Sequence, residues 1–274
     1  MDSEKPRIIC VIGPTASGKS AHAVARAHKD GGEVISVDSR QVYRTLDIGT
    51  EKITPEEMQG VPHHLIDIRD PKDAYSAGDF VADATKLIED MCARNVLPIL
   101  AGGTHFYFDA LLYGLPPATP PNATYRSELE AFTNEELLTR LKELDADRAM
   151  ALDPQNRRRI IRALEIVEEH GSVPERLTQS PYAIEWVVID PGREELKERL
   201  STRLQNALAR GLIEEVARVR AHVGDERLNE LGLEYRIVGE YLRGELTETE
   251  LFPRLLAKLS QYARRQRAWM RKLV

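Results

Sequence analysis

Cysteine is scarce: the 274 residues hold two, Cys10 and Cys92. Two do not make a disulfide framework, and both sit where core or near-core fillers belong, Cys10 in an apolar strand and Cys92 late in a helical stretch. No run of residues is long and apolar enough to span a bilayer. The opening Met-Asp-Ser-Glu-Lys-Pro lacks the apolar stretch of a secretory signal. Internal repeats and low-complexity tracts are absent too. Together these absences point away from stapled secreted scaffolds, membrane spans and solenoids, and the expectation is a cytoplasmic chain with no membrane partner. An excess of positive charge is also lacking, since the net charge is −6 and the pI is near 5.8. The sum argues mildly against a nucleic-acid partner, but distribution matters more, and basic residues cluster at 157–162 and 264–271. With 42% apolar and 30% charged residues the chain can bury a full core, as one large domain or two smaller ones.

What is present is a phosphate-gripping loop, Gly13-Pro14-Thr15-Ala16-Ser17-Gly18-Lys19-Ser20, directly after the apolar run at 8–12. This is the G-x-x-x-x-G-K-[ST] spacing between a β-branched strand and a helical pattern at 21–29. The glycines let backbone N–H groups turn inward around an anion. Lys19 adds a point charge, Ser20 a hydroxyl for Mg²⁺, and the helix N-terminus its partial positive charge. The loop implies a di- or triphosphate without specifying the reaction.

Residues 1–115 alternate strand and helix, with a second strand at 32–37, a helix at 77–95 and a third strand at 96–100 that breaks at Gly102-Gly103-Thr104 into another helix. Such alternation implies a parallel sheet with right-handed crossovers. Residues 114–121 form a stiff Pro-rich connector, and 123–171 read as wholly helical, with a capping box at Thr133 and a C-terminal Gly171. A strand pattern returns at 183–189, and 194–274 are helical with Gly211, Gly224 and Gly232 as punctuation. The expected fold is α/β: a P-loop NTPase-like parallel sheet flanked by helices, with an inserted all-helical subdomain. The core is expected at 1–118 and 184–274 and the insertion at 119–183.

Asp38 follows the second strand. Carboxyl ends of strands in an open parallel sheet face the ligand crevice, so Asp38 is placed beside the loop as a Mg²⁺ ligand, a proton acceptor, or an N-cap for the next turn. Thr104 closes the third strand in the same crevice. No aspartate closes that strand, which weakens a plain ATPase reading. His63 and His64 are adjacent, point to opposite faces of a strand and have no second His or Cys cluster, which favours structural roles over zinc. Arg199 and Arg203, four apart on one helix, share a face that can either reach phosphate or pair with nearby glutamates.

The loop, Asp38-Ser39-Arg40-Gln41-Val42-Tyr43, the Pro-His-His-Leu-Ile-Asp stretch at 62–67, Gly102-Gly103-Thr104, the Arg-rich stretch at 158–165 and the basic tail at 264–271 come in that order. Together they closely resemble the bacterial tRNA dimethylallyltransferases over nearly the whole chain. The resemblance implies transfer of a dimethylallyl group from dimethylallyl diphosphate to N6 of adenosine 37, in tRNAs reading codons that begin with U, with Mg²⁺ assisting. It implies that Gly13 to Ser20 hold the diphosphate with Ser20 as the metal ligand, that Asp38 is the general base, that Thr104 contacts the target nucleotide and that Arg203 faces the diphosphate. It assigns tRNA contacts to Asp38, Ser39, Arg40, Gln41, Thr104, Arg126, Arg158, Arg159 and Arg162, the partner being the anticodon stem-loop. Two departures stand out: Leu233-Glu234-Tyr235 replaces Ile-Gly-Tyr, and Ala268 replaces a tail threonine. The expected state is a monomer. The rival readings are a P-loop small-molecule kinase and an isopentenyltransferase acting on free adenine nucleotides.

Overall fold

The computed structural model describes residues 5–115, 122–173 and 177–274. Two compact units emerge, one made of the residues up to Leu112 and from Ser180 onward, the other of Tyr113–Gln179. The Pro-rich connector expected at 114–121 lies outside the described residues from 116 to 121.

The first unit is built on five strands: β1 (Arg7–Ile12), β2 (Gly32–Ser36), β3 (His63–His64), β4 (Leu97–Gly102) and β5 (Ala183–Val188). All pair in parallel, in the order β3-β2-β4-β1-β5. β1 lies between β4 and β5, with Cys10 opposite Leu100 and Trp186, and Ile8 to Ile12 are fully buried. Burial on both faces explains the unbroken apolar run. The two-residue β3 corrects the strand count from sequence. Its adjacent histidines showed no period, so the strand after the helix at 77–93 is the fourth, not the third. His64 Nε2 lies 2.8 Å from Glu33, and His63 Nδ1 lies 2.8 Å from the Val61 carbonyl, so both serve structural contacts.

The helices of this unit are α1 (Lys19–Asp30), α2 (Pro55–Met58), α3 (Ala77–Ala93), α4 (His105–Tyr113, whose last residue falls in the second unit), α9 (Arg193–Ala209), α10 (Leu212–Glu230), α11 (Leu233–Leu242) and α12 (Glu248–Leu273). Ala23, Val24 and Ala27 of α1 join Ile9, Val34 and Ile99 in one apolar cluster. Gly31 closes α1 in the left-handed conformation. The punctuation at Gly211 and Gly232 separates helices, whereas Gly224 only kinks α10. No helix among the described residues is long and apolar enough to cross a membrane.

The second unit contains α5 (Ala123–Leu129), α6 (Asn134–Leu144), α7 (Ala146–Ala151) and α8 (Arg157–His170). Its own core gathers Leu129, Leu137, Leu141, Ile160, Ile161 and Leu164. Thr133 and Glu136 form the expected capping box, and Gly171 ends α8 in the left-handed conformation. Arg157, grouped by sequence with a basic cluster, instead donates to the carbonyls of Leu129, Glu130 and Phe132. It ties α8 to the end of α5.

His105 opens α4 only 4% exposed, and its Nε2 has no hydrogen-bond partner. Burial, and secondarily Lys19, hold its pKa down at about 4. The unfolded chain takes up that proton near pH 6.5, so the contribution is complete above 6.5 and is lost as pH falls towards about 4. Thermal or urea unfolding should therefore show stability declining across that window by up to about 3 kcal/mol from this residue. His105→Phe, which keeps a ring without a titrating nitrogen, is expected to flatten the decline.

Candidate phosphate-binding site

The chain turns sharply between β1 and α1. Ala16 and Gly18 both take the left-handed conformation, with φ of 63° and 93°. The Ser17 amide donates to the Pro14 carbonyl at 3.3 Å and the Lys19 ammonium donates to the same oxygen at 2.7 Å. Gly18 is the N-cap of α1, with no side-chain cap and no acidic residue in the first turn. Uncapped amides at a helix start, next to a loop that curls inward, form an anion-binding concavity. A Cβ on Gly13 would lie 2.2 Å from the Ile189 carbonyl, which leaves room only for glycine. The Ser20 hydroxyl is exposed and makes no hydrogen bond among the described residues.

Positive charge converges on this loop from α9. Arg199 donates to the Ser17 carbonyl at 3.1 Å, and Arg203 donates to the Thr15 hydroxyl at 2.5 Å. Both arginines touch the loop and both also face a glutamate, Arg199 pairing with Glu195 and Arg203 lying 3.8 Å from Glu51. Arg203, Arg199 and Arg210 line a cavity of about 580 Å³ together with Ala16, Gly18 and Glu51. Glu51 sits loosely, 3.8 Å from Arg203 and 3.6 Å from Arg210, and its Oε1 is buried without a hydrogen bond. A second cavity, about 560 Å³, is lined by the helical unit's Phe132, Glu135, Glu136, Arg140 and Glu143 among others. Its acidic lining does not suit a polyphosphate, whereas the cavity at the loop is lined by three arginines.

The turn after β2 is the other element of the site. Asp38 Oδ1 accepts from the amides of Arg40 and Gln41 at 2.8 and 3.3 Å. Asp38 is therefore the turn cap that sequence left open, and its Oδ2 has no hydrogen-bond partner among the described residues. Thr104 fastens this turn to the end of β4, its hydroxyl accepting from the Ser39 amide at 3.1 Å. The join is close: a Cβ on Gly102 would sit 2.0 Å from the Val37 carbonyl. Lys19 feels both halves of the site. Burial pulls its pKa down to about 8, Asp38 opposes that shift, and Arg203 adds to it.

Other expected contacts are engaged internally. Gln41 donates to the carbonyls of Thr50 and Glu51, each at 3.2 Å. Arg126 grips the buried Glu165 through two bonds of 2.6 and 2.9 Å, and Arg162 reaches the same carboxylate at 3.1 Å. Arg158 and Arg159 are exposed on the first turn of α8. Sequence reasoning gave no site role to three groups here. Tyr262 of α12 sits in the field of Asp38, Glu234 and Arg40. Glu234 is half-buried, with burial raising its pKa, Arg203 lowering it and Asp38 raising it further. Gln266 is bonded to the loop itself. The Glu234 departure was visible as an odd residue, but nothing in the sequence aimed it at Asp38 and Arg203.

Residues 41–273 match the model of the family described as IPP transferase. The chain is 42% identical to a tRNA dimethylallyltransferase of Thermomicrobium roseum, over 100% of this chain and 85% of the relative. A solved full-length tRNA isopentenylpyrophosphate transferase from Bacillus halodurans superposes with a TM-score of 0.74 at 38% identity, covering 97% of this chain and 87% of that one. A eukaryotic dimethylallyltransferase acting on tRNA superposes with a TM-score of 0.85 at 28% identity, covering 98% and 70%.

The charge on Lys19 generates a prediction for the loop alone. Its ammonium discharges as pH rises through about 8, so affinity for inorganic diphosphate should weaken above that pH. The weakening should approach about tenfold per pH unit. Lys19→Arg, which stays charged throughout, should lose the added pH dependence. Isothermal titration calorimetry across pH 7 to 9.5, about that window, compares the two proteins.

Proposed function

The chain belongs to the IPP transferase family, and we propose that it transfers a dimethylallyl group from dimethylallyl diphosphate to N6 of adenosine 37 in tRNA. The observation that carries this reading is a site with two halves, a phosphate loop backed by Arg199 and Arg203 and the Asp38 turn that Thr104 fastens to the end of β4. A group transfer from a diphosphate to a nucleophile needs both halves.

An adenine amine is a poor nucleophile because its lone pair is delocalised into the ring. The allylic carbon therefore has to ionise as the diphosphate departs. In the transfer the C1–O bond breaks and its electron pair leaves with diphosphate. The N6–C1 bond forms, and the N6 proton passes to Asp38 Oδ2, the oxygen not spent on the turn. Lys19, the loop amides, Arg199 and Arg203 stabilise charge on the departing group. Thr104 holds the Asp38 turn in place through Ser39. The free Ser20 hydroxyl, beside a diphosphate, suits the hard oxygen set of Mg²⁺. When bound there, the ion would further neutralise the leaving group.

On the RNA side, an anticodon-loop base is not held in a duplex, so extruding it costs little. Arg158 and Arg159 are exposed and have no partner among the described residues, which leaves them for phosphates. Arg126 and Arg162 present partly exposed guanidiniums held in place by Glu165. We place the reaction in the cytoplasm on tRNAs that read codons beginning with U.

Mass spectrometry of nucleosides from tRNA incubated with the protein and dimethylallyl diphosphate is the direct test, with N6-dimethylallyladenosine as the expected product. Steady ATP consumption with phosphorylation of an acceptor would instead make the protein a kinase, and activity on free nucleotides but not tRNA would make it a nucleotide prenyltransferase. Asp38→Asn should bind both substrates but transfer about 10²–10⁴-fold more slowly in single turnover. A loss under about fivefold would remove Asp38 as the base. Replacing Arg158 and Arg159 together with Ala should flatten the log K against log salt slope for tRNA by about 1.4, at about 0.7 per single-strand phosphate contact. An unchanged slope in the folded double variant would end their role in RNA binding.

A further inference from the structure

We infer that Gln266 is a positioning residue that fixes the diphosphate cradle and the acceptor turn at reacting distance, an inference that rests on the prenyl-transfer reading. Gln266 is only 6% exposed, one of few polar side chains buried in the described structure. Its Oε1 accepts from the Thr15 amide at 2.9 Å, and its Nε2 donates to the Gly103 carbonyl at 2.9 Å. Those partners dictate which end of the amide is which, since an N–H needs the oxygen and a carbonyl needs the NH₂.

Each contact leads directly into one half of the site. Thr15 accepts from Arg203 through its hydroxyl, so the amide held by Gln266 belongs to the residue that anchors that arginine. Gly103 precedes Thr104, whose hydroxyl holds Ser39, next to Asp38. One uncharged amide thus joins the chain Arg203–Thr15–Gln266–Gly103–Thr104–Ser39. The fit is tight, because a Cβ on Gly103 would lie 2.6 Å from Gln266 Nε2. Both ends of its amide are spent on the protein backbone, so Gln266 acts through the groups it holds. The rest of the tail is spent differently: Arg267 pairs with Asp190 and Arg264 turns back on the Ser260 carbonyl.

Transfer requires the allylic carbon and N6 to approach within about 3–3.5 Å in line, and misplacement by about 1 Å costs up to about a hundredfold. The two half-sites lie on different segments, and a clamp between them governs that approach without adding to the affinity of either substrate. Gln266→Leu removes both bonds. Gln266→Glu keeps the acceptor for Thr15 but sets a second oxygen against the Gly103 carbonyl until the carboxyl is protonated, when its O–H replaces the lost donor.

Full-length Q266L, Q266E and the parent chain are compared in single turnover with saturating dimethylallyl diphosphate and tRNA, alongside the Kd of each substrate and a thermal melt. Expected are cooperative melts, Kd values within about threefold of the parent and transfer at least about tenfold slower. The rate of Q266E relative to the parent at the same pH should climb as pH falls from about 8 to about 5.5. An active parent with a folded Q266L at parental rate overturns the positioning role alone. So does a loss shared equally between binding and rate, or loss of the cooperative melt in both variants, which would make the clamp a structural one. An inactive parent overturns the transfer reading and the positioning role with it.

Discussion

The site depends on the convergence of cations from two segments on one loop. Lys19, Arg199 and Arg203 converge on one loop, and burial has already drawn the Lys19 pKa down to about 8. Holding cations together out of water is unfavourable without an anion. The carboxylates nearby answer in part: Arg199 pairs with Glu195, Glu51 stands 3.6 to 3.8 Å from its arginines, and Asp38 spends one oxygen on its own turn. In the proposed reaction a diphosphate would sit against these cations, and their attraction would strengthen as charge builds on it during departure. The rest of the core can be understood as the scaffold that keeps these cations from relaxing apart.

That scaffold relies on buried acids and a buried lysine rather than on apolar packing alone. Glu215, 2% exposed, accepts from the amides of Asp47, Ile48 and Gly49 and from the Tyr235 hydroxyl. A buried carboxylate with four donors is satisfied, and it anchors the segment that carries Glu51. Lys52 is similarly enclosed, donating to the Tyr43 carbonyl at 2.8 Å and to Asp47 and Asp67 at 2.6 and 2.5 Å. These contacts hold the irregular stretch after Asp38, which has little regular structure of its own. In the helical unit Glu165 plays the same part for Arg126 and Arg162.

Most of the architecture was readable along the chain because it follows local rules. The apolar run of β1, the glycine spacing of the loop, the capping box at Thr133 and the left-handed Gly171 each announce themselves within a few residues. β3 escaped because two residues carry no period, and Arg157 because a basic cluster says nothing about which member turns inward.

The sequence by itself determined the parallel sheet, the phosphate loop and the chemistry of its groups, since glycine conformations, strand ends and helix starts are properties of short segments. It also placed Asp38 at the carboxyl end of its strand. Tertiary structure alone decided the contacts between distant segments: that Arg199 and Arg203 both reach the loop, that Gln41 and Arg126 are engaged internally, that Glu234 lies in the field of Asp38 and Arg203, and that Gln266 joins Thr15 to Gly103. The physical reason is that a hydrogen bond between residues far apart in the chain depends on how helices pack against the sheet, and no local pattern encodes where a side chain on α9, α11 or α12 will end.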